Sequence, residues 1–173
     1  MGVTQSRDKQ VTIENPKYQA ALIPKGQKIA AVASGFPVTA SSEWEANHSA
    51  QRARLNYSNA REGSTCWCAG HNDLNQWIQV CLIIPRLVTG LAIQGRGSQS
   101  DLQWVLKYKL MYSNDGINWQ DHENGKEHDG TNSPDSINNK HFKEPFIATT
   151  VRIVPTEWHG HISMRFEVYF NDL

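Results

Sequence analysis

Residues 75–96 read NQWIQVCLIIPRLVTGLAIQGR, and this stretch decides the fold class. Its first half alternates in the manner of a strand, which places Ile78, Val80 and Leu82 together on one face. A proline interrupts the run, and a second strand-like segment, Leu87 to Ile93, follows it. The stretch therefore predicts two strands that pair with each other in antiparallel fashion at the centre of a sheet.

Similar short runs recur along the chain, separated by loops rich in Asn, Ser, Gly and Asp, and no helical period is sustained. Short strands divided by turn signals predict an all-β fold, an antiparallel sandwich or jelly roll. The alternation in 105–112 predicts that Leu106, Tyr108 and Leu110 share a face, and 115–140 is expected to be an exposed loop. The predicted strands are Val38–Ser41, Gln76–Leu82, Leu87–Gln94, Val105–Tyr112, Thr150–Pro155 and Ser163–Tyr169.

The composition is typical of one globular domain of 173 residues, with 39% hydrophobic and 20% charged residues. Basic and acidic residues number 17 each, and no basic stripe is interleaved with aromatics, so nucleic acid is not an expected partner. No apolar run approaches the ~20 residues of a membrane span. The amino terminus lacks the apolar core of a signal peptide and the cysteines number three. We therefore expect a cytoplasmic protein, or one secreted by a non-classical route.

Residues 1–28 form a polar amino-terminal arm, distinct from the domain expected over 29–173. The arm carries five Lys/Arg against two Asp/Glu. It begins MGVTQS, which fits the N-myristoylation pattern at Gly2 and predicts peripheral membrane attachment. The alternative is a flexible tail that begins with Met-Gly by chance.

Further motifs occur in a fixed order, and together they resemble the discoidin family, also called the F5/8 type C family. They are SSEW at 41–44, ARLN at 53–56, WCA at 67–69, the central stretch at 75–96, YKLMYSNDGINW at 108–119 and ISMRFEVY at 162–169. The resemblance implies an eight-stranded antiparallel discoidin-type β-sandwich barrel, a jelly roll whose ends lie close together. Within the family, GRG at 95–97 and EWHGHISMRFEVY at 157–169 are most similar to the amino-terminal domain of slime-mould discoidin lectins.

The resemblance also implies a ligand surface made by loops 42–49, 59–65 and 95–103 at one end of the barrel. An aromatic wall beside a few convergent polar groups suits a sugar, while acidic residues at the loop tip disfavour anionic lipid. Trp44 is either the stacking residue for that sugar or a packing residue. The predicted ligand-binding residues are Glu43, Trp44, Asn47, His48, Arg96, Gln99, Asp101, Trp158 and His159.

Metal ligation is predicted at one place through the same resemblance. Some carbohydrate-binding relatives hold a structural Ca²⁺, and the matching positions here are Asn56, Asn59, Thr65 and Glu167. Asn56 stands where the family usually has Asp, which removes one charge from that set. Cys66 and Cys68 are interpreted as buried sheet cysteines, with a thiolate pair or metal site as the alternative.

No hydrolase, P-loop, zinc-protease or dinucleotide motif is present in the sequence. We therefore expect a non-enzymatic domain that binds galactose- or N-acetylgalactosamine-type glycans or glycoproteins in cell adhesion or recognition. Weak sugar sites need multivalency, which is expected to come from self-association or from a partner. The alternative hypothesis is a protein-interaction or membrane-peripheral scaffold tethered through Gly2.

Overall fold

A computed structural model describes residues 27–58, 64–98 and 100–172. Within these residues the chain forms nine strands, all paired in antiparallel fashion, and three short 3₁₀ segments. The strands are β1 (Ile29–Ala30), β2 (Val38–Ala40), β3 (Trp67–Cys68), β4 (Ile78–Gln94), β5 (Trp104–Ser113), β6 (Trp119–Asp121), β7 (His128–Asp129), β8 (Ile137–His159) and β9 (Ser163–Asn171). The 3₁₀ segments are Ala46–His48, Ala50–Arg52 and His122–Gly125. The all-β antiparallel class is confirmed.

Two long strands, β4 and β8, belong to both layers of the structure. The amino-terminal part of β4 pairs with β2 and with residues 150–153 of β8, and β8 continues along β5. The carboxyl-terminal part of β4 pairs with β9 and with residues 137–148 of β8. Strands that change sheets at a bend join the layers of a sandwich at its corners. The sheet order β1-β9-β4-β8-β5-β6 does not close on itself, so the predicted barrel is an open sandwich.

The central stretch is one strand, and the prediction that its two halves pair with each other is wrong. Its register on β8 shifts between Cys81 and Arg86, where Ile83 has a φ of 70°. This irregularity bends β4 instead of reversing it, so both halves keep β8 as a neighbour. The predicted shared face is confirmed, because Ile78, Val80 and Leu82 are all fully buried.

Strand β5 and the turn that follows it position the rest of the second layer. A register shift between Val105 and Tyr108 places Val105 in the core, so Leu106 does not share the buried face with Tyr108 as predicted. Residues 113–116 form a turn after β5: Gly116 has a φ of 74°, and Asp115 accepts hydrogen bonds from the backbone N–H groups of residues 117 and 118.

The predicted loop over 115–140 is only partly a loop. It contains β6, the 3₁₀ segment at 122–125, β7 and the first residues of β8. The sequence of early β8 is polar because that segment is largely exposed, so no apolar alternation marks it.

One apolar core lies between the layers, with Trp67, Tyr108, Phe166 and Phe170 among its largest fully buried side chains. Strand β1 begins at Ile29, and the boundary after residue 28 stays a prediction because 1–26 lie outside the described residues. In the part of the chain that the structure describes, no helix is long and apolar enough to span a membrane.

Candidate functional site

One end of the sandwich gathers most of the predicted ligand residues. At this end β2 and β4 finish while β5 and β9 begin, so the loops over 41–50 and 95–103 meet the turn at 160–162. The turn is tight because Gly160 has a φ of 69° and the His161 N–H donates to the His159 carbonyl. A Cβ at position 160 would lie 2.8 Å from the Leu102 carbonyl oxygen, so only glycine fits.

Arg96 joins the two loops. Its guanidinium donates a 2.8 Å hydrogen bond to Gln103 Oε1 and lies 3.3 Å from Asp101 Oδ2. The same group is 3.5 Å from His48 Nε2 on the first loop. A guanidinium with several planar donors can hold such partners at once, so Arg96 fixes the relative position of the loops.

Two histidines flank Arg96 and are kept neutral at neutral pH. Burial lowers the pKa of His48, and the charge of Arg96 lowers it further. Burial also lowers the pKa of His161, with a smaller contribution from Arg96. The Nδ1–H of His48 donates to Asn47 Oδ1 (2.6 Å), and the Nδ1–H of His161 donates to the Ile162 carbonyl (3.2 Å). Both Nε2 atoms are therefore acceptors.

Trp44 is the exposed aromatic group of this surface. Its side chain is 56% exposed, and its ring meets the His161 ring edge-on at a centroid distance of 5.3 Å. The backbone is held in place because the Trp44 N–H donates to the Cys68 carbonyl. An anchored backbone with an exposed indole is the arrangement of a stacking platform, which favours the ligand role over the packing role.

A series of linked side-chain contacts holds Gln103, the hydrogen-bond partner of Arg96, in place. Gln103 Oε1 accepts a second hydrogen bond from the Ser163 hydroxyl (2.8 Å), which itself contacts the Cys68 sulfur at 3.2 Å. Cys66 and Cys68 are both buried, as predicted, with their sulfurs 3.5 Å apart. A hydrogen bond from the Cys66 thiol lowers the pKa of Cys68 to about 7, while burial raises that of Cys66.

The remaining predicted ligand residues have other roles or places. Glu43 Oε1 accepts a hydrogen bond from the Ala50 N–H, which secures the first loop. Trp158 packs partly buried against the core, and the exposed His159 stacks on Trp104 with ring centroids 4.3 Å apart. Gln99 lies outside the described residues. The structure thus brings Trp44, His48, Arg96 and Asp101 together.

Three of the four predicted calcium ligands have a protein partner of their own. The Glu167 carboxylate is buried and accepts hydrogen bonds from the Val32 and Ala33 backbone N–H groups at 2.6 and 2.9 Å. Asn56 exchanges hydrogen bonds with Gln94, and the Thr65 hydroxyl donates to the Arg96 carbonyl. Asn59 lies outside the described residues. The calcium site stays a prediction that these contacts do not support.

Three residues of the site were missed from the sequence. His161, Gln103 and Ser163 enter it through the pairing of β3 with β9 and through the turn before β9. The signal available for His161 was its place in the His159–Gly160–His161 triplet, where a glycine between two histidines indicates a turn.

The fold and these motifs are those of the F5/8 type C domain. The family model for this domain matches residues 37–168, and the chain belongs to that family. Discoidin-2 of Dictyostelium discoideum is 30% identical over 152 residues, which cover 85% of this chain and 58% of that protein. Lactadherin of Sus scrofa is 36% identical over 107 residues, which cover 59% of this chain and 26% of that protein. The chain spans about half the length of the discoidins it matches.

Solved structures give the same result. Recombinant discoidin II of Dictyostelium discoideum superposes with a TM-score of 0.80 at 29% identity, over 85% of this chain and 60% of that chain. A chitosan-binding module derived from the chitosanase/glucanase of Paenibacillus sp. IK-5 superposes with a TM-score of 0.58 at 25% identity, over 80% and 98% of the two chains. The chain is therefore a discoidin-type β-sandwich.

Proposed function

We propose that this domain binds carbohydrate at the loop end of the sandwich and acts by binding, without catalysis. The observation that carries the proposal is the exposed indole of Trp44 beside His161, with Arg96, His48 and Asp101 close by. A pyranose ring offers an apolar C–H face to an aromatic ring and hydroxyl groups to acceptors and charged donors. A structural relative named as a chitosan-binding module supports the same class of ligand.

The sugars that suit this surface best are galactose and N-acetylgalactosamine. The axial hydroxyl of galactose leaves one ring face with contiguous C–H groups, which suits a single exposed indole. The Nε2 acceptor of His161 and the carboxylate of Asp101 suit sugar hydroxyl donors, while Arg96 donates. Glucose, whose corresponding hydroxyl is equatorial, is the natural comparison.

The proposed biological role is adhesion or recognition of glycans and glycoproteins. A single shallow sugar site binds weakly, so useful avidity requires several sites at once. We include self-association in the proposal for that reason, and analytical ultracentrifugation measures it directly.

A titration of the domain with sugar, followed by tryptophan fluorescence, tests the proposal. We expect saturable quenching by galactose or N-acetylgalactosamine, a much weaker response to glucose, and loss of the response in Trp44→Ala. Ile117→Ala is the matched control because Ile117 is also an exposed apolar residue, beyond the opposite end of β5. A flat response to all three sugars at millimolar concentration, together with a glycan array without hits, contradicts the proposal.

A scaffold tethered to a membrane through myristoylated Gly2 is the second candidate. The observation that favours it is the MGVTQS motif with basic residues close behind. Gly2 lies outside the described residues. On this second candidate function, the protein is attached to the cytoplasmic face of a membrane.

A further inference from the structure

A second cluster of side chains lies away from the sugar surface, where β6 passes into β7. His122, on the 3₁₀ segment after β6, and His128, on β7, lie beside Glu123. One ligand atom from each residue falls within 4.8 Å of the other two. The two histidines are 6% and 3% exposed, and within the described residues neither His122 Nδ1 nor His128 Nε2 has a hydrogen-bond partner.

Buried polar nitrogens without partners call for a physical explanation, since such groups cost free energy unless something binds them. The Oε1 atom of Glu123 is 4.0 Å from His122 Nδ1, too far for a hydrogen bond. Ligand atoms around a tetrahedral ion with bonds of about 2.0–2.1 Å lie about 3.3 Å apart. The ligand atoms of this cluster, which lie within 4.8 Å of one another, therefore have to approach by up to about 1.5 Å to bind one ion.

We propose that His122 Nδ1, His128 Nε2 and one carboxylate oxygen of Glu123 bind a divalent transition-metal ion of the zinc class. Imidazole nitrogen with carboxylate oxygen is a donor set that suits such ions. The cluster borders a cavity of about 650 Å³, so water or the nearby Glu144 carboxylate completes the coordination.

The surroundings hold the ligands in place. The His122 ring packs against Phe142 and Phe146 at centroid distances of 4.8 and 4.6 Å, which restricts its orientation. Glu123 Oε2 lies 3.3 Å from Lys126 Nζ, which leaves Oε1 directed at His122.

Lys140 competes with a metal ion for His128. Its ammonium donates a 2.8 Å hydrogen bond to His128 Nδ1, which keeps the ring proton on Nε2, the atom that has to bind the metal. Metal binding requires that proton to move to Nδ1 and the lysine to withdraw into the cavity it lines. Replacing Lys140 with glutamine removes the competing charge and supplies an acceptor for Nδ1–H, which should tighten metal binding.

Calorimetric titration of the full chain with zinc chloride tests the proposal. We expect one ion per chain, a loss of affinity of at least ~10-fold in Glu123→Gln and in His122→Phe, and tighter binding in Lys140→Gln. Glu123 is exposed, so its substitution leaves the fold intact. His141→Gln, an exposed histidine on the rim of the same cavity, should leave the affinity unchanged.

Three results overturn the proposal. The first is an absence of saturable binding at millimolar zinc. The second is binding that persists in both Glu123→Gln and His122→Phe, which assigns the ion elsewhere, for example to the Cys66–Cys68 thiols. The third is a loss in His141→Gln as large as the loss in Glu123→Gln.

Discussion

Removing Arg96 should both destabilise the domain and change the titration of two histidines. Arg96→Ala deletes a charge-assisted hydrogen bond to Gln103, which contributes about 1.5–3 kcal/mol. The ion pair with Asp101 adds at most about 1 kcal/mol, because the Asp101 side chain is 44% exposed. We expect the free energy of unfolding, measured in urea, to fall by about 2–4 kcal/mol in total.

The histidine titration separates this network from a general loss of packing. Because the charge of Arg96 lowers the pKa of His48 and of His161, both pKa values should rise in Arg96→Ala when followed by NMR. Arg96→Lys retains the charge and should shift them much less. His128 is the internal control, since the charges that act on it are those of Lys140, Glu123, His122 and Lys126. Unchanged pKa values at His48 and His161 in Arg96→Ala would refute the proposed geometry.

Three further outcomes are expected. Hydrogen bonds from Asn118 hold the pKa of Asp115 well below its usual range, so the charged carboxylate stabilises the turn above about pH 4 and this stabilisation is lost as the pH falls. The difference in Tm between the wild type and Asp115→Asn should therefore shrink on acidification. A difference in Tm that stays constant with pH contradicts this. Met164→Ala should lower the free energy of unfolding by about 2–5 kcal/mol with an unchanged denaturant slope, because the side chain is fully buried, and a loss of less than ~1 kcal/mol would be inconsistent with that packing. Co-expression with an N-myristoyltransferase should add one myristoyl group to the chain but none to Gly2→Ala, as intact mass spectrometry shows; an unmodified wild-type chain removes the tethering proposal.

The sequence predicted the all-β class because apolar alternation marks half-buried strands, as at Ile78 and Val80. It could not show that β4 continues through Pro85, because the bend depends on a positive φ at Ile83, a residue that seldom adopts one. The first half of β8 was missed for the opposite reason, since an exposed strand need not alternate.

In the candidate site, too, residues in local motifs could be predicted, whereas residues placed by long-range contacts could not. Loop residues such as Trp44 and Arg96 could be proposed from the sequence because they lie in local motifs. His161 and Gln103 were not proposed, because their contacts depend on how β3, β5 and β9 meet at the end of the sandwich. The His122 and His128 nitrogens are brought together by a turn in which Glu123 and Asn124 have positive φ. No pattern in the sequence predicts that conformation.

NMR mapping of galactose onto the domain tests the central claim most directly. We predict saturable shifts of the Trp44 indole N–H and of backbone amides in 42–49, 95–103 and 160–162, with residues 113–119 and 122–128 unaffected. Shifts confined to the far end of β5, or none at millimolar galactose, would contradict a sugar site at these loops.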